Sequence, residues 1–353
     1  MGRMMERRGP DIILALNVGS SSLKFGLYEA GATEIAELFA DALEDPGQDE
    51  RLFDRIEAAL AAAQTPVPTA IAHRIVHGGP TLRRHCLIDP MVTEALQSAV
   101  AFAPLHGPAS LKLIRQAQAH FSGLPQVACF DTVFHATLPE IAHTLPLPAA
   151  LGAEGVRRYG FHGLSCASIV RELGSDLPDR LIIAHLGSGA SVTAVKAGTS
   201  IDTSMGLTPT GGIIMSTRSG DLDPGVLLYL LREKQLGAAE LETLLDHESG
   251  LLGISGVSED LRQLHASSDR GARLAIDMFC YSVRKTIAAM AAALEGIDML
   301  VFTGGIGEND AAVRAAICNR LRWVGDFAVR VIPSREDEQI AWQARNILQC
   351  LRA

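Results

Sequence analysis

The chain has 353 residues, of which 48% are hydrophobic and 20% charged, a length and balance typical of a globular protein with two domains. Its net charge of -9 argues against a nucleic-acid-binding surface, so any anion site must be built from a few local cations. The apolar run near the start stops at Asn17, too short for a signal peptide or membrane span, which predicts a cytoplasmic protein without a membrane partner. Six scattered cysteines without CxxC spacing predict reduced core residues.

Two segments share one pattern. Residues 12–28 read IILALNVGSSSLKFGLY and residues 181–196 read LIIAHLGSGASVTAVK, so each is an apolar strand, a Gly/Ser turn and a second strand. Glycines let the backbone approach a bound anion, and turn N–H groups and Ser hydroxyls can surround phosphate oxygens. A single copy is more typical of a plain hairpin. Two copies, one near the start of each half, predict a duplicated α/β fold that binds a phosphoryl ligand between its halves.

Strands and helices alternate after each hairpin. In the first half we predict a helix at 50–63, a strand at 71–79, helices at 91–102 and 110–120, and a strand at 126–130. In the second half we predict a long helix at 271–295, a strand at 298–305, a helix from Asn309 and a strand at 328–334. The Pro-rich stretch 138–152 marks the predicted domain junction.

The last helix has its own start signal. Ser334 is placed to cap it through its side chain, and acidic residues follow in the first turn. The predicted buried stripe consists of Ile340, Ala344, Ile347, Leu348 and Leu351.

Two acidic residues stand where ligands bind in open α/β sheets. Asp131 directly follows an apolar strand, at the carboxyl edge of the predicted sheet, where a magnesium ligand would lie. A simple turn cap explains the same residue equally well. Glu336 starts a helix, where the macrodipole stabilises its charge with or without a metal.

Three basic or histidine-bearing segments are more distinctive. Arg74 lies in HRIVHGG, Arg218 in MSTRSGD and His162 in RRYGFHG. A single arginine on a strand is usually solvated, and a histidine between glycines serves a tight turn or a ligand. His73 and His77 share no helical metal-binding face and are interpreted as structural. GxxxxGK[ST], HExxH and the protein-kinase motif set are missing from the sequence, which excludes the corresponding chemistries.

Nine motifs then occur in one order: ALNVGSSSLKF, HRIVHGG, APLHGPA, CFDTVFH, RRYGFHG, HLGSGAS, DTSMGLTP, TRSGDLDP and FTGGIGEN. From about residue 12 to 345 the chain resembles the acetokinase family. That family belongs to the acetate and sugar kinase, Hsp70 and actin superfamily. The resemblance implies two duplicated actin-like (ribonuclease H-like) α/β domains with an active-site cleft between them. The N-terminal domain would be 1–152 plus the C-terminal helix 337–353, and the nucleotide-binding domain 153–336.

The resemblance also implies roles for individual residues. The catalytic residues would be Arg74, His106, Asp131, His162 and Arg218. Acetate would contact Arg74, Val76, Leu105, Phe161 and Pro209. The nucleotide and its phosphates would contact Asn17, Ser20, Ser22, Lys24, His185, Gly187, Ser188, Gly189, Asp260, Arg262, Gly304, Gly305, Ile306, Gly307 and Asn309, with Ser21 and Ser191 completing the two phosphate loops. Asn17, Asp131 and Glu336 would hold Mg²⁺, or alternatively Mn²⁺, directly or through water.

The implied reaction is reversible, direct in-line transfer of a phosphoryl group from ATP to acetate, giving acetyl phosphate and ADP. Because a carboxylate is already a nucleophile, positioning and charge neutralisation suffice for this reaction. The resemblance further implies a homodimer that takes part in acetyl-CoA biosynthesis.

The chain departs from the family pattern at a few positions. Gly107 and Ser188 stand where the family usually has Asn, Gly212 stands where it usually has Glu, and the segment before Val331 is short. Phosphoryl donor, nucleotide affinity and dimer detail therefore stay open. Propionate or another short-chain acid is an alternative acceptor, because one methylene in an apolar pocket discriminates only about 10- to 200-fold. An acyl hydrolase built on Ser165 and a non-catalytic nucleotide-binding module are the alternatives from other classes.

Overall fold

The computed structural model describes residues 10–19, 22–31, 34–44, 50–104 and 106–352. They divide into two compact units. The first contains the described residues up to Val133 and those from Arg335 onward, and the second is Phe134–Ser334. Residues 134–152, which the sequence analysis assigned to the N-terminal domain, therefore belong to the second unit.

The first unit is built on a six-stranded sheet. Its strands are β1 (Asp11–Val18), β2 (Ser22–Ala30), β3 (Ile35–Glu44), β4 (Ala70–Ile75), β5 (Cys86–Leu87) and β6 (Gln126–Phe130). They are arranged in the order β3-β2-β1-β4-β6-β5. β1, β2 and β3 form an antiparallel meander, whereas β4 runs parallel to β1 and β6 parallel to β4. The carboxyl ends of β1, β4 and β6 therefore meet at one edge, which is where open α/β sheets bind ligands.

Helices cover both faces of this sheet. They are α1 (Leu52–Ala62), α2 (Pro90–Ala99), α3 (Gly107–His120), a short 3₁₀ turn (Val100–Phe102) and the C-terminal helix (Glu336–Cys350). Ala128 and Phe130 pack with apolar residues of α2 and α3. Between them in β6, Cys129 points the opposite way, and its Sγ lies 3.6 Å from the Ile340 carbonyl oxygen. Since side chains alternate along a strand, the C-terminal helix covers the other face.

The C-terminal helix differs from its sequence prediction at both ends. The Ser334 side chain does not cap it: the N-cap is Arg335 without a side-chain bond, and the Ser334 hydroxyl bonds to Ser165 instead. Ile340, Ala344 and Leu348 are buried as predicted, but Leu351 is 61% exposed because it follows the last helical residue. Local sequence predicts that Ser334 caps the helix, but in the folded chain its hydroxyl donates to Ser165, a residue far away in the sequence.

The second unit repeats the plan of the first. Its strands are β7 (Arg180–Leu186), β8 (Ala190–Lys196), β9 (Thr199–Thr203), β10 (Met299–Thr303) and β11 (Ala328–Val331). Their order, β11-β10-β7-β8-β9, is the order of β6-β4-β1-β2-β3 in the first sheet. β7, β8 and β9 are antiparallel, and β10 and β11 are parallel to β7. The predicted duplicated, ribonuclease H-like α/β fold is confirmed.

Ten helices accompany this sheet in the described chain: α4 (Glu140–His143), α5 (Ala149–Ala153), α6 (Gly163–Leu173), α7 (Pro224–Glu233), α8 (Ala238–His247), α9 (Gly250–Ser255), α10 (Leu261–Ala266), α11 (Arg270–Ala293), α12 (Gly304–Asn309) and α13 (Ala311–Cys318). Further 3₁₀ turns lie at Gly174–Asp176 and Arg322–Val324. The helix predicted from Asn309 is α13, which begins at Ala311 because Asp310 caps it by accepting from the Val313 N–H at 2.9 Å. A separate helix that was not predicted, α12, ends at Asn309. Within the described ranges, no helix has the length and apolarity needed to span a bilayer.

Candidate active site

An ion pair lies at the carboxyl edge of the first sheet. Arg74 on β4 donates from Nε and Nη2 to Oδ2 of Asp131, at 3.0 and 2.6 Å. The Asp131 side chain is 1% exposed and that of Arg74 17%. The solvated interpretation of Arg74 is therefore wrong, and Asp131 directs its carboxylate to a neighbouring strand. A charge pair this sheltered from water is much stronger than a surface ion pair.

Asn17 on β1 extends this pair. Its Oδ1 accepts from Arg74 Nη1 at 2.9 Å, and its Nδ2 donates to Asp337 Oδ1 at 2.7 Å. The amide orientation is set by chemistry, because guanidinium can only donate and carboxylate can only accept. Asp337, Asn17, Arg74 and Asp131 thus form one hydrogen-bonded chain across the C-terminal helix, β1, β4 and the end of β6.

Burial and neighbouring charges together set the pKa values of the ionisable groups at this edge. Burial alone would lower the Arg74 pKa, but the carboxylates of Asp131 and Glu336 raise it well above its usual value. Burial raises the pKa of Asp337, and the nearby Glu336 carboxylate raises it further, while the bond from Asn17 opposes the shift. Arg74 therefore stays charged among several acidic groups and compensates them in part.

Four further residues with assigned roles lie in the described part of the first unit: Ser22, Lys24, Val76 and His106. Lys24 pairs with Asn17 across β1 and β2, and Ser22 accepts from the Gly19 N–H through its carbonyl at 2.8 Å. Val76 and His106 line one small cavity together with Gly107. Ser20, Ser21 and Leu105 lie outside the described residues.

Oxygen donors dominate the predicted magnesium ligands. Asp131 and Glu336 both act on Arg74, and Asn17 bonds to Arg74 directly. In the part of the chain that the structure describes, no three His, Cys, Asp or Glu side chains are grouped to hold a metal ion. Magnesium is commonly held by one or two carboxylates plus water and substrate phosphates. The donor set present fits that mode of binding, and a complete protein cage is not needed.

A histidine pair forms the centre of the second unit's site. His162 precedes α6 with a φ of 57°, a left-handed conformation, and its Nδ1 lies 3.0 Å from Ser191 Oγ on β8. Its ring stacks on that of His185 on β7, with centroids 4.1 Å apart and an interplanar angle of 22°. Both rings are buried. A non-glycine residue in this backbone region is uncommon and is often found at functional sites.

Two glycine turns lie against these rings. A Cβ placed on Gly189 would lie 3.3 Å from both His162 Nε2 and Arg218 Nη1. A Cβ on Gly304, where φ is 76°, would lie 2.8 Å from the Leu186 carbonyl oxygen. Glycine is therefore required at Gly304, and a side chain at Gly189 would crowd the His162 ring and the Arg218 guanidinium. Because β7 and β10 are parallel neighbours, both turns lie at the carboxyl edge of the second sheet.

Arg218 is positioned by its own loop. Its Nη1 donates to the Pro209 carbonyl at 3.3 Å, and the neighbouring Ser216 N–H donates to the Ser188 carbonyl at 3.2 Å. The guanidinium, the His162 ring and the Gly187–Gly189 turn are thus gathered in one place. A donor set of this kind, cation, imidazole and glycine backbone, is suited to an oxyanion such as phosphate.

Further positions of this unit that the sequence singled out differ in their surroundings. Asp260 caps α10 and accepts from Arg262 in a fork with a shortest distance of 2.6 Å, and the Arg262 side chain is 91% exposed. Asn309 donates to the Gly305 carbonyl within α12 at 2.8 Å. Phe161 is buried. Gly212 has a φ of 95°, and a Cβ there would lie 2.8 Å from the Ser204 carbonyl oxygen, so this backbone requires glycine.

Sequence reasoning missed two groups. Asp337 has no role among the residues assigned from the sequence, yet it accepts from Asn17 Nδ2, 320 positions away, and so orients that amide. Ser165 was considered only as a hydrolase nucleophile, yet its Oγ lies 2.8 Å from His185 Nδ1 and accepts from Ser334 Oγ at 3.0 Å. No local pattern marks such contacts, because each partner comes from a distant segment.

Comparisons with known proteins decide the family. A model of the acetokinase family matches residues 50–335. The acetate kinase of Nitrobacter hamburgensis is 42% identical over 346 residues, which cover 89% of this chain and 86% of that protein. The chain belongs to the acetokinase family. Crystal structures of the acetate kinase of Porphyromonas gingivalis (TM-score 0.85, 34% identity) and of a propionate kinase of Francisella tularensis (TM-score 0.87, 35% identity) each match 96% of this chain and 100% of their own.

Membership in the acetokinase family identifies the chain as a kinase, and as an enzyme rather than a binding module. The predicted fold and family are confirmed by these matches. The residue assignments above stay predictions, which the geometry makes specific enough to test.

Proposed function

We propose that this protein is an acetate kinase that transfers the terminal phosphoryl group of ATP to acetate, reversibly, giving acetyl phosphate and ADP. The observation that carries the proposal is the gathering of Arg218, His162 and the Gly187–Gly189 turn at the edge of one sheet. The first unit adds Arg74, held by Asp131 and Asn17.

In the proposed reaction an acetate oxygen attacks the terminal phosphorus, and the bond from that phosphorus to the bridging oxygen breaks. ADP leaves with the bonding electrons. The protein does not need a strong base, because the carboxylate is already a nucleophile. Its task is to orient the reactants and to compensate charge on the transferring phosphoryl oxygens.

Each side chain then has a specific part. Arg74 and Arg218 present planar, permanently charged donors that match carboxylate or phosphoryl oxygens. His162 donates to the equatorial oxygens, with its ring orientation set by Ser191 and by stacking on His185. Each donor of this kind is worth about 3 to 4 kcal/mol of barrier. Val76, assigned to the acyl group, and His106, assigned beside the transferring oxygens, line one cavity at the end of β4, which supports their acting near each other.

Magnesium, when bound by Asp131, Glu336 and Asn17, would supply charge neutralisation at the nucleotide phosphates. Arg74 already offsets part of the negative charge of this group of residues. Asp337 orients the Asn17 amide so that its oxygen faces Arg74.

The acyl hydrolase alternative is disfavoured by geometry. Ser165 and His185 are in contact at 2.8 Å, as in a nucleophile and base pair. However, Ser165 is 0% exposed, so its hydroxyl cannot reach an ester in this fold. Its short contact serves His185 instead.

A coupled assay tests the proposed reaction. ATP or GTP is supplied with magnesium and with acetate, propionate or butyrate, and ADP or GDP release is followed. Carboxylate-dependent release with acetate preferred supports the proposal, whereas preference for propionate would assign the acceptor of the related propionate kinase. Ester hydrolysis without nucleotide would contradict both.

We further propose that the protein is a homodimer associating through its second unit. α7 has no buried residue, and its Leu228 and Tyr229 are 47% and 52% exposed. On α11, Leu274, Met278 and Tyr281 recur along one face and are 50%, 37% and 53% exposed. Exposed apolar surface of this kind is typical of association sites.

Light scattering after gel filtration tests the dimer. The native protein should have twice its chain mass of 37.6 kDa, and Tyr229→Glu or Tyr281→Glu should shift it toward the monomer. A monomeric native protein would contradict the proposal. The magnesium requirement, cytoplasmic location and role in acetyl-CoA biosynthesis are proposals that rest on the family resemblance.

A further inference from the structure

His185 has a hydrogen-bonding arrangement that no assigned role uses. It occupies the second-last position of β7, is 9% exposed and stacks on His162. Its Nδ1 contacts Ser165 Oγ at 2.8 Å. Ser165 is fully buried in the first turn of α6.

The hydrogen bonds along this contact favour one tautomer of His185. Ser334 Oγ donates to Ser165 Oγ at 3.0 Å. Ser165 Oγ accepts from Ser334 through one lone pair, which leaves its single hydrogen available for donation to His185 Nδ1. A neutral imidazole that accepts at Nδ1 carries its proton on Nε2.

The Nε2 edge faces the glycine turns. A Cβ placed on Gly187 would lie 3.6 Å from His185 Nε2, and one on Gly304 would lie 3.2 Å from it. These turns lie at the carboxyl edge of the second sheet. A proton on Nε2 makes the ring a donor toward an anion there, whereas an unprotonated Nε2 would present a lone pair to it.

Ser334 is tied to the same turns from the other side. The Ser334 N–H and the Gly304 N–H both donate to Glu308 Oε1, each at 3.0 Å. Ser334, which donates to Ser165, is thus held by the same carboxylate oxygen as the Gly304 turn. This explains why Ser334 does not cap the C-terminal helix.

We propose that Ser165 and Ser334 are positioning residues whose two hydroxyls form a relay that keeps His185 protonated on Nε2, as a donor to the nucleotide phosphates. The identity of the anion rests on the proposed function. The tautomer does not, because it follows from the contacts within the second unit.

His135 provides an internal reference for the measurement. Its Nε2 lies 2.9 Å from the Phe161 carbonyl oxygen, which can only accept, so Nε2 must carry the proton. Its Nδ1 lies 2.9 Å from Ser200 Oγ. The arrangement is the one inferred for His185, with the tautomer imposed by a carbonyl.

Nitrogen-15 histidine NMR of the full chain tests the tautomer directly. With resonances assigned through His185→Asn and His135→Asn variants, native His185 should match His135, with Nδ1 unprotonated. Ser165→Ala and Ser334→Ala should each shift His185 toward the other tautomer. Ser168→Ala is the matched control, since this buried serine donates to the Ser165 carbonyl at 2.7 Å and should leave the His185 spectrum unchanged. A native His185 protonated on Nδ1 overturns the proposal.

Binding and kinetics test the consequence. Ser165→Ala should weaken magnesium–ADP binding, measured by calorimetry, about 3- to 10-fold, the effect of one hydrogen bond, and Ser334→Ala about 2- to 3-fold. Ser334→Thr, which keeps the hydroxyl, should restore native binding, and KM for acetate should stay within about twofold.

The NMR measurement and the binding measurements distinguish failure of the relay from failure of the proposed function. A shifted tautomer with unchanged ADP binding overturns the donor role. Native protein that lacks acetate kinase activity but has the expected tautomer refutes the proposed function and leaves the relay standing. Should Ser165→Ala fail to fold, Ser334→Ala and Ser334→Thr give the same decision at a half-buried position.

Discussion

Asn17 and His185 occupy the same place in two sheets of the same order. Each is the second-last residue of the central strand, β1 or β7. Asn17 is held by charged groups, Asp337 on one side and Arg74 on the other. His185 is held by an uncharged serine and a stacked imidazole.

The difference shows that topology and chemistry are separable in this molecule. Strand order brings the carboxyl ends of three equivalent strands together in each sheet, β1, β4 and β6 in the first and β7, β10 and β11 in the second. The side chains at those ends differ. The first unit has carboxylates around a guanidinium, which suits a cation and a carboxylate ligand. The second has glycine turns, imidazoles and hydroxyls, which suit phosphate oxygens.

The largest expected effect comes from the arginines, one in each unit. Arg74→Ala and Arg218→Ala should each lower kcat about 100- to 1000-fold, because each removes a charge that stabilises the transferring phosphoryl group. Arg330→Ala is the control, since it removes only an exposed pair with Asp176 at 3.3 Å and should leave kcat unchanged. Near-normal turnover in either test variant would remove that residue from the mechanism.

The next-largest expected effect concerns the Asp131 carboxylate of the first unit and the magnesium requirement. Asp131→Asn keeps the shape and removes the carboxylate charge, so the magnesium concentration for half-maximal activity should rise about 10-fold or more. Binding of Mn²⁺, followed by electron paramagnetic resonance, should weaken in parallel without any turnover. An unchanged metal titration would mean that Asp131 serves only to hold Arg74.

Acid should destabilise both units through buried histidines. Burial lowers the pKa of His73 in the first unit and of His135 in the second to about 4, from 6.5. Below pH 6.5 these histidines bind protons in the unfolded chain but stay neutral in the folded state, so the free energy of unfolding decreases as pH falls toward 4. At pH 5 each histidine should cost about 2 kcal/mol of unfolding free energy.

Urea unfolding at pH 7.5 and pH 5 measures this loss. In the first unit, a His73→Leu/Gln126→Leu double variant, which removes both members of a buried pair 2.8 Å apart, should lose less stability over the same interval. An equal loss in native and variant protein would exclude His73 as a source.

The smallest effect concerns the exposed turn of the second unit. Ser188→Asn should lower KM for ATP a few-fold, because the longer amide adds about one neutral hydrogen bond, 0.5 to 1.5 kcal/mol. KM for acetate should stay unchanged, as should both values in a surface control, Ser98→Asn. A shift in KM for acetate, or weaker ATP binding, would show that Ser188 is matched to a different loop geometry or donor.

Local sequence predicted the elements whose signals are local. The paired hairpins at 12–28 and 181–196 correspond to β1–β2 and β7–β8, because apolar runs on either side of a Gly/Ser turn depend on neighbouring residues only. The strand before Asp131 and the long helix α11 were predicted for the same reason. Asp310, which ends α12 and caps α13, shows how one polar side chain moves a boundary that periodicity alone does not fix.

The amino-acid sequence by itself determined the duplicated α/β plan, the order of the motifs and the residue types available at each strand end. Only the tertiary structure decided which of those residues meet. Arg74 could be solvated or buried, and Asp131 a cap or a partner, until β4 and β6 paired in parallel and placed both at one edge. Asp337 and Ser334 gained their partners the same way, because side-chain hydrogen bonds between distant segments depend on chain packing and leave no local pattern to read.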